Sequence, residues 1–591
     1  MGRPLYALAA AVCAQGLASA AHAEPRAVVQ GEMDPDLRAA IVRAVGDTDR
    51  PIENRFEARR RARAAAEDAI AVLRSEGHYA NIVEPIVSEA DPPTPIVRVE
   101  PGPRFVLGVP AVQWRGNPPD AATKAAAEAA LGLAPGGPGR APDVIAGEGR
   151  VVAEAQQRGY ADAAAEPREV IVDHADTTVR PTYRIAAGPL VRLDGLDITA
   201  AGRTNPAWLR GLAPWKAGDT YDPDDVAELE RRLLDTGVYE SVTVALSGPD
   251  KTNAEGQRPV IISLAERRGR TLETGASYST TEGFGLDARW TRYNMLNRAD
   301  TLALFGRASR VDSRVGIDLA LPHWRRAQQT LRTGTSVYRV RTDAYDETGA
   351  GVRADLTRRY GRTSYVTAGV SADASRTEEL SPEDLTPLGR DLVTLAGLGD
   401  VLLDRTGDPL DPRRGWKFSA RIEPILILGD ENLPYLRAVT QGSAYLPLDR
   451  GARTVAAARL RVGAILNGAI PEVPASRRFY AGGGGSVRGF PYQGVGPRLA
   501  DGTPQGGLTL FEASAEVRRD IIGRWGIAAF VDAGTVGEHA VFNTDDLAVG
   551  AGFGVRYNVG FAPIRLDIAV PVSRRRGEAP YQIYVSIGQS F

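Results

Sequence analysis

From about Arg267 to Phe591 the chain alternates, and that period constrains its fold more than any other feature. Thr271-Leu272-Glu273-Thr274-Gly275-Ala276-Ser277-Tyr278 steps between polar or small residues and larger ones. Residues 301–308, 414–422, 454–465, 526–531 and 563–570 do the same. A period of two sends successive side chains to opposite faces of a strand. Turn signals such as Asn297-Arg298-Ala299-Asp300, Pro412-Arg413-Arg414-Gly415 and Asp501-Gly502 separate the runs. In the closing segment, Tyr581, Ile583, Val585, Ile587 and Phe591 share one face. Gln582, Ser586, Gly588 and Ser590 share the other, with Tyr584 its one bulky member. That is the pattern of a strand with lipid on one side and a lumen on the other. The expectation for 267–591 is an antiparallel transmembrane β-barrel. At about 20 residues per strand and turn it holds roughly 16 strands. The alternative for the last strand is the edge of a soluble sandwich.

The remaining composition narrows the function by exclusion. Residues 1–23 read as a secretory signal, with Arg3, an apolar stretch from Leu5 and the cleavage pattern Ala21-His22-Ala23. The single cysteine, Cys13, lies inside it, so the mature chain is expected to lack disulfides and thiol chemistry. No later run of about 18 apolar residues marks a membrane helix, which leaves a barrel open. With 71 basic and 73 acidic side chains, no basic excess points to nucleic acid. His22, His78, His174, His323 and His539 are scattered, and no metal spacing or nucleophile motif occurs. The chain is therefore read as no enzyme, with no cofactor and no metal site.

Residues before 267 carry an internal repeat. Leu73-Arg74-Ser75-Glu76-Gly77-His78-Tyr79, Gln156-Gln157-Arg158-Gly159-Tyr160 and Leu234-Asp235-Thr236-Gly237-Val238-Tyr239 share one phrase. Each ends a helix on a glycine, which suits a left-handed C-terminal cap, and starts a strand with tyrosine. The tyrosines stand 81 and 79 residues apart. A second phrase joins the units, Gly102-Pro103-Arg104-Phe105-Val106-Leu107-Gly108 and Gly188-Pro189-Leu190-Val191-Arg192-Leu193-Asp194. Each unit reads as strand, helix, helix, strand, strand. This pattern resembles the POTRA domain, with copies at 24–101, 102–187 and 188–266. An exposed sheet edge in such a unit can accept an extended client by β-augmentation.

The run Phe479-Tyr480-Ala481-Gly482-Gly483-Gly484-Gly485-Ser486-Val487-Arg488-Gly489-Phe490 plants one arginine in a backbone of unusual freedom. A solvated glycine-rich loop is the plain alternative. The run resembles the V-R-G-F/Y loop of BamA/TamA-type outer-membrane assembly barrels. Residues 508–518 and 528–534 look like the strands that follow that loop in the family. On that resemblance, Val487, Arg488, Gly489 and Phe490 form a lumen-loop motif, and Arg488 pairs with Asp532 and Glu516. Alternation alone does not fix Asp532, because Phe530 and Asp532 fall on one phase. Both acids could instead be ordinary lumen-facing carboxylates in water. Residues 404–416 resemble the family's acidic turn before a long strand, and a plain hairpin turn serves equally.

Three repeats and one barrel resemble the TamA type most closely. The resemblance implies insertion or secretion of β-barrel and autotransporter-type clients in the outer membrane, with the repeats in the periplasm. It also implies a TamB-type inner-membrane-anchored partner, unfolded outer-membrane clients and outer-membrane lipid. The mechanism would use a seam between the first and last strands, near Thr271, Ala276 and Tyr278 on one side and Ile583, Val585, Ile587 and Phe591 on the other. The terminal Phe591 also resembles the targeting signal of outer-membrane barrels. The alternative function is a two-partner-secretion-type transporter exporting one dedicated exoprotein through the lumen.

Overall fold

The computed structural model describes residues 24–48, 51–200, 202–279, 283–361, 363–428, 432–539, 546–560, 562–574 and 579–591. Residues 1–23, where the secretory signal and Cys13 are expected, lie outside them, as do the side chains of Tyr278 and Ile587. The chain divides into two compact units. One comprises residues up to 197 with 214–228 and 245–260, and the other comprises 198–213, 229–244 and 261–591.

The first unit is built from small α/β modules. In the first module, Pro95–Glu100 is the central strand, parallel to Val28–Gln30 and antiparallel to Ile82–Val87. Helices Pro35–Val45 and Arg55–Ser75 cover it. The long helix carries alanine at 62, 65, 66 and 69 with Leu73, a narrow buried stripe that meets Leu37, Ile41, Val97 and Val99. Asn54 caps it by accepting from the Glu57 amide at 2.9 Å. In the second module, Thr178–Ala186 is central. It pairs in parallel with Val106–Leu107 and Ala111–Arg115, and antiparallel with Ala164–Asp173. Helices Ala121–Ala130 and Ala141–Gln157 pack on it around Tyr183, whose hydroxyl donates to the Val144 carbonyl at 2.9 Å. A third sheet, whose residues fall partly in each unit, runs in the order Arg192–Ala200, Gln257–Glu266, Tyr239–Leu246. Gly77, Gly159 and Gly237 all take positive φ, so each repeated phrase does end its helix on a left-handed glycine.

One ion pair in this unit is worth a test. Arg258, 3% exposed at its side chain, forks onto both carboxylate oxygens of Asp162. The hydrogen bond from Arg258 holds the Asp162 carboxyl below its usual value. A depressed carboxylate stabilises above its unfolded titration point and loses that contribution as pH falls through the folded one. Asp162→Asn should therefore cost on the order of 1 kcal/mol near neutral pH. Thermal melts of the two proteins should converge as pH drops below about 3.9.

In the second unit, sixteen strands among the described residues form one antiparallel sheet, each paired with the next in sequence. It runs from Arg270–Ser279 to Gln582–Ile587. The sheet curls until these two edge strands approach within 8 Å at Cα, and they share no ladder among the described residues. The alternation becomes two faces. Val315, Val337, Val352, Val370 and Val531 are exposed on the convex side. Thr357, Thr367, Thr377, Glu379, Glu516 and Asp532 are buried on the concave side.

The last strand departs from expectation. It ends at Ile587, not at Phe591. Gly588 follows with φ +88°, a conformation that residues with a Cβ rarely adopt. The chain then turns inward. Phe591 stacks obliquely on Tyr445 at 6.4 Å between centroids, with Arg459 and Arg518 over its ring at 5.4 and 5.5 Å. Placing Phe591 on the lipid face was therefore wrong. Two guanidiniums and a tyrosine give the ring better partners inside than a continued alternation would give it outside. Thr271 stands in the first edge strand half-buried and Ala276 exposed, while Ile583 and Val585 are exposed in the last.

Candidate functional site

The segment 467–508 joins Thr454–Leu466 to Thr509–Ile522 and folds back over the concave face. Its base is closed by reciprocal backbone hydrogen bonds between Phe479 and Gly507, at 2.8 and 2.9 Å. Phe479, Ala481, Val487, Phe490 and Val495 pack with Ile425, Tyr435, Ile465 and Leu510 of the sheet. This apolar anchoring explains why the loop is not solvated despite its glycines. Arg477 reaches Asp373 at 3.0 Å and Glu347 at 3.3 Å. Arg478 donates to the carbonyls of Val473, Gln505 and Ile470 at 2.8 to 2.9 Å.

The tip carries the motif. Gly489 has φ +101°, and a Cβ there would stand 2.9 Å from the Val570 carbonyl oxygen. Only glycine lets the backbone pass so close to the wall. The same strand of contact continues at Gly550, where an added Cβ would fall 1.8 Å from the Arg488 carbonyl oxygen.

Arg488 is 2% exposed and its guanidinium is surrounded. Its Nε and Nη2 fork onto Asp532 at 2.7 and 3.0 Å, and its amide also donates to Asp532 at 3.1 Å. Its Nη1 donates to Glu516 at 2.8 Å and to Asp567 at 3.3 Å. Its Cζ lies 3.3 Å above the centroid of Phe530. The shared phase of Phe530 and Asp532 is thus used by the site: the ring is the floor and the carboxylate the wall of one arginine pocket.

The structure brings Arg488, Asp532 and Glu516 together, and adds groups that sequence reasoning missed. Asp567 binds Arg488 and Arg556. Glu516 also takes Arg518 Nε at 2.7 Å and the Ser590 hydroxyl at 3.0 Å, which ties the inward-turned tail to the cluster. Tyr584 accepts from the Gly489 amide at 3.1 Å and donates to the Phe490 carbonyl at 2.8 Å, so the last strand holds the loop directly. Arg459 donates to the carbonyls of Gly485 and Ser486 at 2.9 and 3.0 Å. A signal for Asp567 was present: Arg565 and Asp567 sit two apart in an alternating strand, so two charges share a face. Val487 is buried in the loop core, and Phe490 is 2% exposed. The turn at 405–414 is held by local bonds, with Asp404 accepting from the Thr406 amide at 2.9 Å and Asp408 from the Leu410 amide at 2.9 Å. It also meets the tail, since Gln589 Nε2 donates to Asp411 at 2.9 Å.

No cluster of metal-ligand type is found among the described residues. The arrangement is a buried network of ion pairs centred on Arg488. Four interior acids, Glu512, Glu516, Asp532 and Asp567, are each buried against arginine, and removing one partner leaves uncompensated charge.

Comparison with known proteins bears on the family and the fold. Residues 294–591 match the Omp85 superfamily domain. The chain is 22% identical over 425 residues to the outer membrane protein assembly factor BamA of Neorickettsia risticii, covering 68% of this chain and 56% of that protein. It is 21% identical over 500 residues to BamA of Neisseria meningitidis serogroup B, covering 73% and 60%. It therefore spans less than two thirds of the length of these curated relatives. The crystal structure of BamA from Haemophilus ducreyi lacking POTRA domains 1-3 superposes with a TM-score of 0.64 at 19% identity, over 82% of this chain and all of that one. The chain belongs to the Omp85 superfamily, as a BamA/TamA-type protein of the outer membrane.

Proposed function

We propose that the protein is an assembly factor of the TamA type. It helps insert or secrete β-barrel and autotransporter-type clients through the opening between its first and last strands. The observation that carries this reading is the pair of edge strands. They come within 8 Å at Cα yet share no ladder among the described residues, and the last is six residues long against ten for the first. Unpaired backbone is costly in lipid, so such an edge templates an incoming strand. The name of the BamA relatives as outer membrane protein assembly factors supports the same class. In this reading the α/β modules are three periplasmic POTRA repeats at 24–101, 102–187 and 188–266. Their outer strands, Ile82–Val87, Ala164–Asp173 and Tyr239–Leu246, accept extended clients by the same edge chemistry. A TamB-type protein is the partner.

The test is a disulfide across the seam, in a chain whose one native cysteine is Cys13. Cysteines at Thr274 or Ala276 are paired with Ile583 or Val585, and insertion of an autotransporter reporter is followed. Oxidation should abolish insertion and reductant should restore it. Efficient crosslinking with full insertion would sink the seam and favour export through the interior.

A further inference from the structure

At the rim where the sheet begins and ends, a cleft of about 30 Å³ is lined by Arg413, Arg453, Arg518, Arg519, Arg524 and Arg556. The acids on its wall are Asp411 and Asp520, and both are engaged by Arg413, at 2.8 and 2.5 Å. Glu516 behind it serves Arg518 at 2.7 Å and Arg556 at 3.5 Å. Positive charge is therefore in excess. More telling, Arg518 and Arg556 are more than nine-tenths buried, and Nη1 of the first and Nε of the second have no hydrogen-bond acceptor, while Nη2 of the second has only the Glu516 carboxylate at 3.5 Å. A buried guanidinium N–H without an acceptor carries its full desolvation cost. Two such donors, on residues that line one small arginine-rich space, call for an anion with several oxygens. Arg519 and Arg524 stand exposed at the mouth.

The depth of the cleft indicates the kind of anion. Trp525 and Tyr557 pack at 4.8 Å between centroids on the convex side of the same rim. Paired interfacial aromatics mark the level of lipid headgroups. The first strand, Arg270–Ser279, begins at this rim, the periplasmic one for an outer-membrane protein of this family.

We infer that the cleft between the ends of strands Thr509–Ile522 and Ala548–Asn558 binds a phosphate group. Guanidinium forks match phosphate oxygens in geometry and charge. The cleft has room for a phosphate's oxygens or a few waters and not for an extended chain. A phosphate there would satisfy the free N–H groups of Arg518 and Arg556 and sit beside Gln589 of the tail. It would thus load the same arginines that hold Glu516.

The inference stands apart from insertion activity and is tested by binding alone. The full chain in detergent is titrated with dihexanoyl phosphatidylglycerol, with inorganic phosphate and with dihexanoylglycerol, which has the chains but no phosphate. Binding is followed by native mass spectrometry and calorimetry. The variant R453Q/R519Q/R524Q changes mostly exposed residues, and heat-modifiable migration on gels confirms its fold. One saturable site for phosphatidylglycerol, weakened about tenfold or more in the variant and absent for dihexanoylglycerol, is expected. Displacement by inorganic phosphate at millimolar concentration assigns the site to the free anion, and its failure to displace assigns it to the headgroup. No saturable binding of either phosphate probe, equal displacement by chloride, or unchanged affinity in the variant overturns the inference.

Discussion

Arg488→Ala should release the loop from the concave face and abolish client insertion. The substitution removes the fork to Asp532, the bonds to Glu516 and Asp567 and the contact with Phe530 in one step. Three buried carboxylates then face each other with less positive charge between them. Breaking a buried, hydrogen-bonded pair by deleting one partner costs about 3–5 kcal/mol. That cost is several times what a surface pair is worth, roughly 0–1 kcal/mol. Arg488→Lys keeps the charge and loses the fork, so it should fall between the two. Two measurements check this. The melting temperature of the folded sheet should fall, and a cysteine at Ser486 should pass from protected to readily labelled by a maleimide. An Arg488→Ala protein with a protected Ser486 position and full insertion would show that the cluster does not hold the loop.

Gly550→Ala should produce the same loop release by a different force. No charge changes. The new methyl would sit 1.8 Å from the Arg488 carbonyl oxygen, against backbone that cannot swing away as a side chain does. Either the loop tip lifts or the strand bows, and overpacking of this kind costs about 1–3 kcal/mol or more. Lifting the tip also separates Arg488 from Asp532, because Arg488 binds that carboxylate through its own amide as well as its guanidinium. Labelling at Ser486 should rise as in Arg488→Ala. Gly485→Ala is the matched control, since a Cβ there meets nothing within 4 Å. Equal labelling in both glycine variants would contradict close docking at Gly550.

Much of this was legible before any coordinates. Period-two alternation dictates strands whose side chains part to two faces, and a long run of them without apolar helices leaves a large antiparallel sheet as the economical arrangement. The phrase ending in Gly77, Gly159 and Gly237 dictates helix ends, because a left-handed cap excludes most other residues. Arg488 stood out because an arginine beside four glycines is a poor surface loop. Its partners Asp532 and Glu516 came from family likeness, and periodicity alone would have left Asp532 ambiguous. The tail was misread because alternation says nothing about where a strand stops. Gly588 is one residue among many glycines in sequence, and only the position of Tyr445, Arg459 and Arg518 makes an inward turn favourable there.

The division is physical. Local backbone preference and the spacing of apolar residues act within a few residues of each other, so the chain itself determined its strands, its helix caps, its repeat and the faces of its sheet. The arginine cluster depends on which strands become neighbours across tens of residues. Asp567 and Arg488 are 79 apart and Ser590 and Glu516 are 74 apart, and burial turns each such pair from a weak attraction in water into a strong constraint. The lock on the loop, the inward tail and the arginine cleft at the rim were therefore decided only by the tertiary structure.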